Sequence, residues 1–278
     1  MNELMSIKHL CDFVVVLEAY KKAKIDLHNA LDGGAGWGET SNSIAKVLKK
    51  TGKVYAFEPF IGNHKFFKNY DKRIVLVQKA LAENNQKKRF IVNSSVSEDS
   101  VWGRRGMTGY SSLGHICRTE QESLDVRSLE VEGVRADDEI PVSERIGFVK
   151  LDLQGGELNA LKGMPRIVEN ALFLWIEYIG DQPSLLQYIV DQNYMVFDTE
   201  YLFIGEPSEE AREWFDVSKQ NIVLSTNVPA WYGFKKKPWN HFESEFAYCK
   251  KKFQMVQTDF LCINKAYVDA FSKALKFI

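Results

Sequence analysis

The chain alternates short, unbroken runs of apolar residues with stretches in which apolar positions recur every three or four residues. Unbroken runs bounded by polar residues or glycine suit strands buried on both faces, and the longer period suits a helix with one buried stripe. The runs predict strands near 28–32, 53–58, 73–77, 147–152, 172–178 and 194–198, with a last one at 259–264. The periodic stretches predict helices near 39–50, 61–70, 156–170 and 183–192. Strand and helix taken in turn imply an α/β fold with a doubly wound, mostly parallel sheet. Ahead of it, residues 1–26 read as an amphipathic N-terminal helix: Leu10, Phe13, Val14, Val15, Val16, Leu17 and Tyr20 are interrupted by Asp12 and Glu18. It is expected to pack on the sheet or on a second subunit of a homodimer. The stretch is too short to span a membrane and lacks a basic leader and a cleavage site, so no targeting segment is expected.

Two segments break the alternation. Residues 79–140 carry hairpin-like pieces such as Arg89-Phe90-Ile91-Val92, and residues 199–258 are rich in aromatics and lysine. Ligands of open α/β sheets bind outside the carboxyl ends of the strands, and the segments joining those ends become lids. Both inserts are therefore expected on the substrate side of one domain spanning 1–278.

The first candidate site follows the first strand. Asp32 begins an acid-x-Gly-x-Gly-x-Gly run through Gly34, Gly36 and Gly38, just before the first helix of the sheet. Glycine lets a backbone turn sharply and approach a ligand without a Cβ in the way. The next strand, Val54-Tyr55-Ala56-Phe57, ends at Glu58, where an acid can accept both hydroxyls of a ribose. A dinucleotide fingerprint, Gly-x-Gly-x-x-Gly, fits Gly34 and Gly36 but meets Glu39 at its third glycine. A carboxylate at a helix start repels a pyrophosphate. The loop thus suits an uncharged or cationic nucleoside, and S-adenosylmethionine, a sulfonium without phosphate, satisfies it.

A second block reads Phe148-Val149-Lys150-Leu151-Asp152-Leu153-Gln154-Gly155-Gly156-Glu157, a buried strand with an acidic end and a turn leading into an amphipathic helix. Together with the loop from Asp32 to Thr40, Tyr55-Ala56-Phe57-Glu58-Pro59, Lys79-Ala80-Leu81-Ala82-Glu83-Asn84 and Leu174-Trp175-Ile176-Glu177, it resembles the FkbM family of S-adenosylmethionine-dependent methyltransferases over roughly residues 28–200. The resemblance implies a class I, Rossmann-like methyltransferase fold with a last antiparallel strand, and O-methylation as the usual activity. Family members usually read Asp-x-Glu-Gly-x-Glu, so Gln154 stands where a second carboxylate is usual.

Methylating a hydroxyl requires a proton to leave, because the hydroxyl pKa lies far above neutrality. Asp152, at a strand end beside the cofactor loop, is the first candidate for base or metal ligand, with capping of the next helix as its plain alternative. His241 and His115 are second choices for the base, whereas His9, His28 and His64 read as peripheral. A metal here would be a hard divalent ion such as Mg²⁺ held by Asp152. For the acceptor, Arg104 and Arg105 among glycines suit an anionic group. Trp231 and Trp239 flank Lys235-Lys236-Lys237 in a stretch suited to stacking a sugar ring. A solvated loop with anchoring aromatics accounts for that stretch equally well.

Composition narrows the partners. A formal net charge of −1 gives no global field for nucleic acid or an anionic membrane. Four scattered cysteines without a Cys-x-x-Cys pair read as reduced thiols in a cytoplasmic setting. The block after the fourth strand, Asp152-Leu153-Gln154-Gly155, lacks the Asn/Asp-Pro-Pro-aromatic turn of base-amine methyltransferases. The sequence therefore points to a small-molecule acceptor, a sugar, glycan or other metabolite. A nucleic-acid-modifying enzyme and a non-catalytic cofactor-binding module remain as alternatives.

Overall fold

In the computed structural model, residues 13–92, 114–116, 128–179, 182–198 and 257–277 are described. Seven strands form one sheet: β1 (Asn29–Gly33), β2 (Val54–Phe57), β3 (Ile74–Val77), β8 (Ile146–Leu151), β9 (Phe173–Ile179), β10 (Tyr194–Asp198) and β11 (Gln257–Asn264). Their order is β10-β11-β9-β8-β1-β2-β3, and every pairing is parallel except the two made by β11. β1 and β8 lie mid-sheet and every residue of both is buried, which is why their sequences read as runs rather than alternations. β3 is the exception among the runs: as an edge strand it is only partly covered, and its Val75 is exposed.

Helices cover both faces. One face carries α1 (Phe13–Lys22), α2 (Glu39–Val47) and α7 (Val268–Leu275), which pack Val16, Leu17, Tyr20, Ile44 and Phe271 against Ala30, Phe148 and Phe173 of the strands. The N-terminal helix thus lies on this chain's own sheet, with the Tyr20 and Phe173 rings stacked 5.0 Å apart. The other face carries α3 (Ala136–Glu139), α4 (Glu157–Lys162), α5 (Pro165–Asn170) and α6 (Pro183–Asp191), packed on Leu31, Val149, Leu151, Leu174 and Ile176. No helix among the described residues is long and apolar enough to cross a membrane.

Three elements differ from the sequence reading. The single helix expected over 156–170 is two short ones, because a Cβ at Gly163 would stand 2.0 Å from the Ala82 carbonyl oxygen and Pro165 opens a new helix. Residues Ile61–Asn69 form a 3-10 helix instead of an α-helix. The segment 79–140 holds its own four-stranded sheet, ordered β4-β7-β5-β6, from β4 (Ala80–Leu81), β5 (Gln86–Val92), β6 (Gly114–Ile116) and β7 (Ser128–Val134). Its β5 pairs antiparallel with both β6 and β7, as the hairpin signal implied.

Candidate functional site

The period of two along a strand places alternate residues on one face. On the face covered by α1, α2 and α7, β1 presents Ala30 then Asp32, β8 presents Phe148 then Lys150, and β9 presents Phe173, Trp175 and Glu177. The apolar stripe therefore ends in a row of charged groups at the carboxyl edge of the sheet. Antiparallel β11 contributes the start of its run, with Asp259 in register with Glu177.

The glycine loop sits at this edge, pinned by its backbone. The Gly34 and Ala35 amides each donate to the Phe57 carbonyl at 3.1 Å, and the Asp152 amide donates to the Gly33 carbonyl at 3.0 Å. Gly34 has φ 75°, and a Cβ there would lie 1.9 Å from the carbonyl oxygen of Asp152. Gly38, the N-cap of α2, is pressed by the Phe67 ring. Close approach at these two positions is thus to the protein itself. Gly36, at φ 54°, differs: a Cβ there would meet nothing within 4 Å. That open space is the cradle a nucleoside needs.

Glu58 borders the cradle. Its Oε2 accepts the Gly36 amide and its Oε1 accepts the Phe60 amide, both at 2.8 Å. The Asn63 side chain donates to this carboxylate as well, so of about four acceptor positions roughly one stays open toward a ribose hydroxyl. Burial raises the Glu58 pKa to about 7, against the opposing pull of the two amides and of Asn63. His64, expected to be peripheral, lies against this acid, its Nε2 2.7 Å from the Glu58 carbonyl oxygen. The 3-10 helix produces that contact by folding back over the end of β2, and no local sequence signal carries it.

Asp32 is fully buried and accepts the Ser41 hydroxyl at 2.6 Å, while its Oδ1 has no hydrogen-bond partner. Lys150 bridges the two aspartates, its Nζ 3.7 Å from Asp32 and 3.2 Å from Asp152. Burial acts to discharge this lysine, but the two carboxylates outweigh it and keep it charged. Asp152 keeps 40% of its side-chain surface open. Burial opposes its ionisation, yet Lys150 and hydrogen bonds from Glu177 and Gln154 hold its pKa below the ordinary carboxylate value. Gln154 donates from one nitrogen to Asp152 at 3.0 Å and to Glu177 at 2.7 Å. Burial, followed by the charge of Asp152, raises Glu177 to about 9.

Asp152 does not cap the next helix. The turn is held instead by Glu157, whose Oε1 accepts the Leu153 amide at 2.8 Å and the Gly155 amide at 3.1 Å. The site gives no support to the Mg²⁺ that Asp152 was a candidate to hold: the Lys150 ammonium occupies one side of that carboxylate at 3.2 Å, and among the described residues no cluster of three His, Cys, Asp or Glu side chains is arranged to hold a metal. The loop does fit a nucleoside, through the open space at Gly36 and the acceptor Glu58.

His115 lies on β6 at the margin of the four-stranded sheet, in register with Ile91. Arg104, Arg105, Trp231, Trp239 and His241 lie outside the described residues, as do three of the four cysteines; Cys262 is a buried free thiol. The sequence reading did not assign a role to Lys150, Glu177 or Asp259. A lysine inside an otherwise apolar strand was the available signal, since such a charge must find buried partners.

Solved structures resemble the chain at low identity. The precorrin-6y C5,15-methyltransferase of Geobacter metallireducens GS-15 is 12% identical at a TM-score of 0.36, with 65% of this chain and 70% of that chain covered. The plantazolicin methyltransferase BpumL, in complex with a monoazolic desmethylPZN analog and SAH, is 8% identical at a TM-score of 0.42, with 95% of this chain and 87% of that chain covered. No curated protein matches the chain. Residues 22–196 match the model of the methyltransferase FkbM domain, and the chain accordingly belongs to the FkbM family of S-adenosylmethionine-dependent methyltransferases.

Proposed function

We propose that the protein transfers the methyl group of S-adenosylmethionine to a hydroxyl of a small molecule, with a sugar as the preferred acceptor class. The observation that carries this reading is the adjacency of the open cradle at Gly36 and Glu58 to the Asp152 carboxylate, across one hydrogen-bonded strand edge. The cofactor supplies an electrophilic methyl carbon. The residues of the chain must then hold the nucleoside, orient the acceptor, exclude water and receive one proton. Glu58 and the loop serve the first task, and Asp152, with 40% of its side-chain surface open and its carboxyl held ionised, serves the last. The aromatic and lysine-rich stretch 231–242, outside the described residues, is the expected wall for a sugar ring and an attached anionic group.

The test is transfer of labelled methyl from S-adenosylmethionine to a panel of sugars, sugar phosphates and glycans. Products are assigned as O-methyl or N-methyl by mass spectrometry. Methylation of amines alone would overturn the hydroxyl reading, and methylation of RNA alone the small-molecule reading.

A further inference from the structure

The usual family pattern places a carboxylate where this chain has Gln154, and the structure shows what the amide does there. A carboxylate accepts hydrogen bonds, whereas an amide nitrogen donates two, and Gln154 aims both at acids, Asp152 and Glu177. It reaches them from a left-handed backbone at φ 54°, a conformation that is costly for a residue with a side chain. Glu157 fixes the turn that holds it there. Asp152 and Glu177 also bond each other directly. The charged groups facing this pair are Lys150 and Asp32 from the strands on one side, Asp259 from β11 on the other, and Glu157 from α4.

 Three of these four neighbours, Asp32, Glu157 and Asp259, are acids, and among the described residues only Lys150 is a cation. Two ionised carboxylates at this place are opposed by more negative than positive charge, so the pair holds one proton between them.

We infer that Asp152, Gln154 and Glu177 act as one proton-sharing unit: Glu177 releases its proton when a cation enters the loop site, and the unit takes a proton back from the acceptor hydroxyl. The inference rests on the proposed transfer to a hydroxyl. The loop is close enough to couple, since Gly34 lies directly on the Asp152 carbonyl. The step balances. The acceptor oxygen forms the new carbon–oxygen bond, the carbon–sulfur bond breaks with its electron pair left on sulfur, and the hydroxyl proton passes to the Asp152 carboxylate and is shared with Glu177. One positive charge leaves sulfur and one proton joins the pair, so the charge of the site is the same before and after. Glu177 is in this account a positioning and proton-storing residue, and Asp152 is the group that meets the acceptor.

The experiment is calorimetric titration of the full chain with S-adenosylmethionine and, separately, S-adenosylhomocysteine, in buffers of different ionisation enthalpy, so that protons released per ligand are counted. The two ligands share the nucleoside and differ in the sulfonium charge, so protons exchanged at Glu58 cancel in their difference. A cation nearby lowers a carboxylic acid by about 1–3 pKa units. From about 9 for Glu177, the excess release with the sulfonium should reach roughly half a proton or more near pH 8. It should fade below about pH 6 and above about pH 10. In Glu177→Gln the excess should fall to whatever the ligand's own amine contributes, which is the same in both proteins. Equal proton counts for the two ligands in the wild-type chain would overturn the inference, as would an excess undiminished in Glu177→Gln. If that variant fails to bind either ligand, the wild-type pH profile decides, and an excess without a maximum near pH 8 overturns the inference. Failure of the wild-type chain to bind either ligand would instead remove the cofactor reading on which the inference stands.

Discussion

With Glu58 as the proposed ribose acceptor, cofactor binding should depend on pH in a calculable way. The Glu58 carboxylate is 5% exposed and its pKa is raised to about 7, so it changes charge within the range in which the protein can be handled. Raised above the ordinary value of 4.5, the group is ionised in the folded protein only above about pH 7. The ionised form accepts a ribose hydroxyl, so affinity for S-adenosylhomocysteine should rise with pH and fall below pH 7. With a pKa of about 7 the ionised fraction is roughly one-eleventh at pH 6 and ten-elevenths at pH 8, a ratio of about ten, or about 1.4 kcal/mol. Titration calorimetry at pH 6, 7 and 8 at constant ionic strength measures it. The Glu58→Gln variant should bind more weakly at pH 8 and lose this pH dependence. A wild-type affinity that is flat from pH 6 to 8, or a slope that persists in Glu58→Gln, would refute the assignment of Glu58 to the ribose.

The glycines of the loop separate structure from binding. Gly34→Ala should destabilise the fold by about 1–3 kcal/mol from its left-handed φ alone, with the clash on the Asp152 carbonyl added, as a denaturant titration will show. Gly36→Val also bears a left-handed φ, of 54°, but meets no backbone clash, and it should remove S-adenosylhomocysteine binding. Asp152→Asn should lower turnover by roughly 10²–10⁴ and leave S-adenosylhomocysteine affinity within a few-fold, and steady-state kinetics beside calorimetry tells whether it does. Trp239→Ala should raise the acceptor KM without changing S-adenosylhomocysteine affinity; unchanged acceptor kinetics would move the substrate wall toward Arg104 and Arg105.

What the sequence disclosed and what it withheld divide along a physical line. The strands, the glycine loop and the acids Asp32 and Glu58 were legible because each is written locally, as an apolar run, a turn or a residue at a strand end. The charged row of Lys150, Glu177 and Asp259 was not, because it exists only through the register of β8, β9 and β11, and no local pattern encodes register between distant segments. The division of 156–170 into two helices follows likewise from the Ala82 carbonyl pressing on Gly163, a contact across eighty residues of chain, and His64 reached Glu58 through a fold-back rather than a motif. Gln154 was visible as a departure from the family pattern, but its two donated hydrogen bonds needed the structure.

The pairing of Asp32 with Lys150 bears on folding as well as on chemistry. The two residues are register partners on neighbouring central strands whose sequences lie more than a hundred residues apart. Apart from Asn29 at the start of β1, the other residues of the two strands carry no polar side chain that would fix their alignment. A slip of one residue would turn one member of the pair toward Leu31, Val149 and Leu174 on the opposite face, leaving two buried charges without partners. Misaligned sheets are thereby penalised at the centre of the molecule, where a shift would propagate to every other strand. The same buried charge pair that shapes the site thus acts as an alignment key for the assembling sheet.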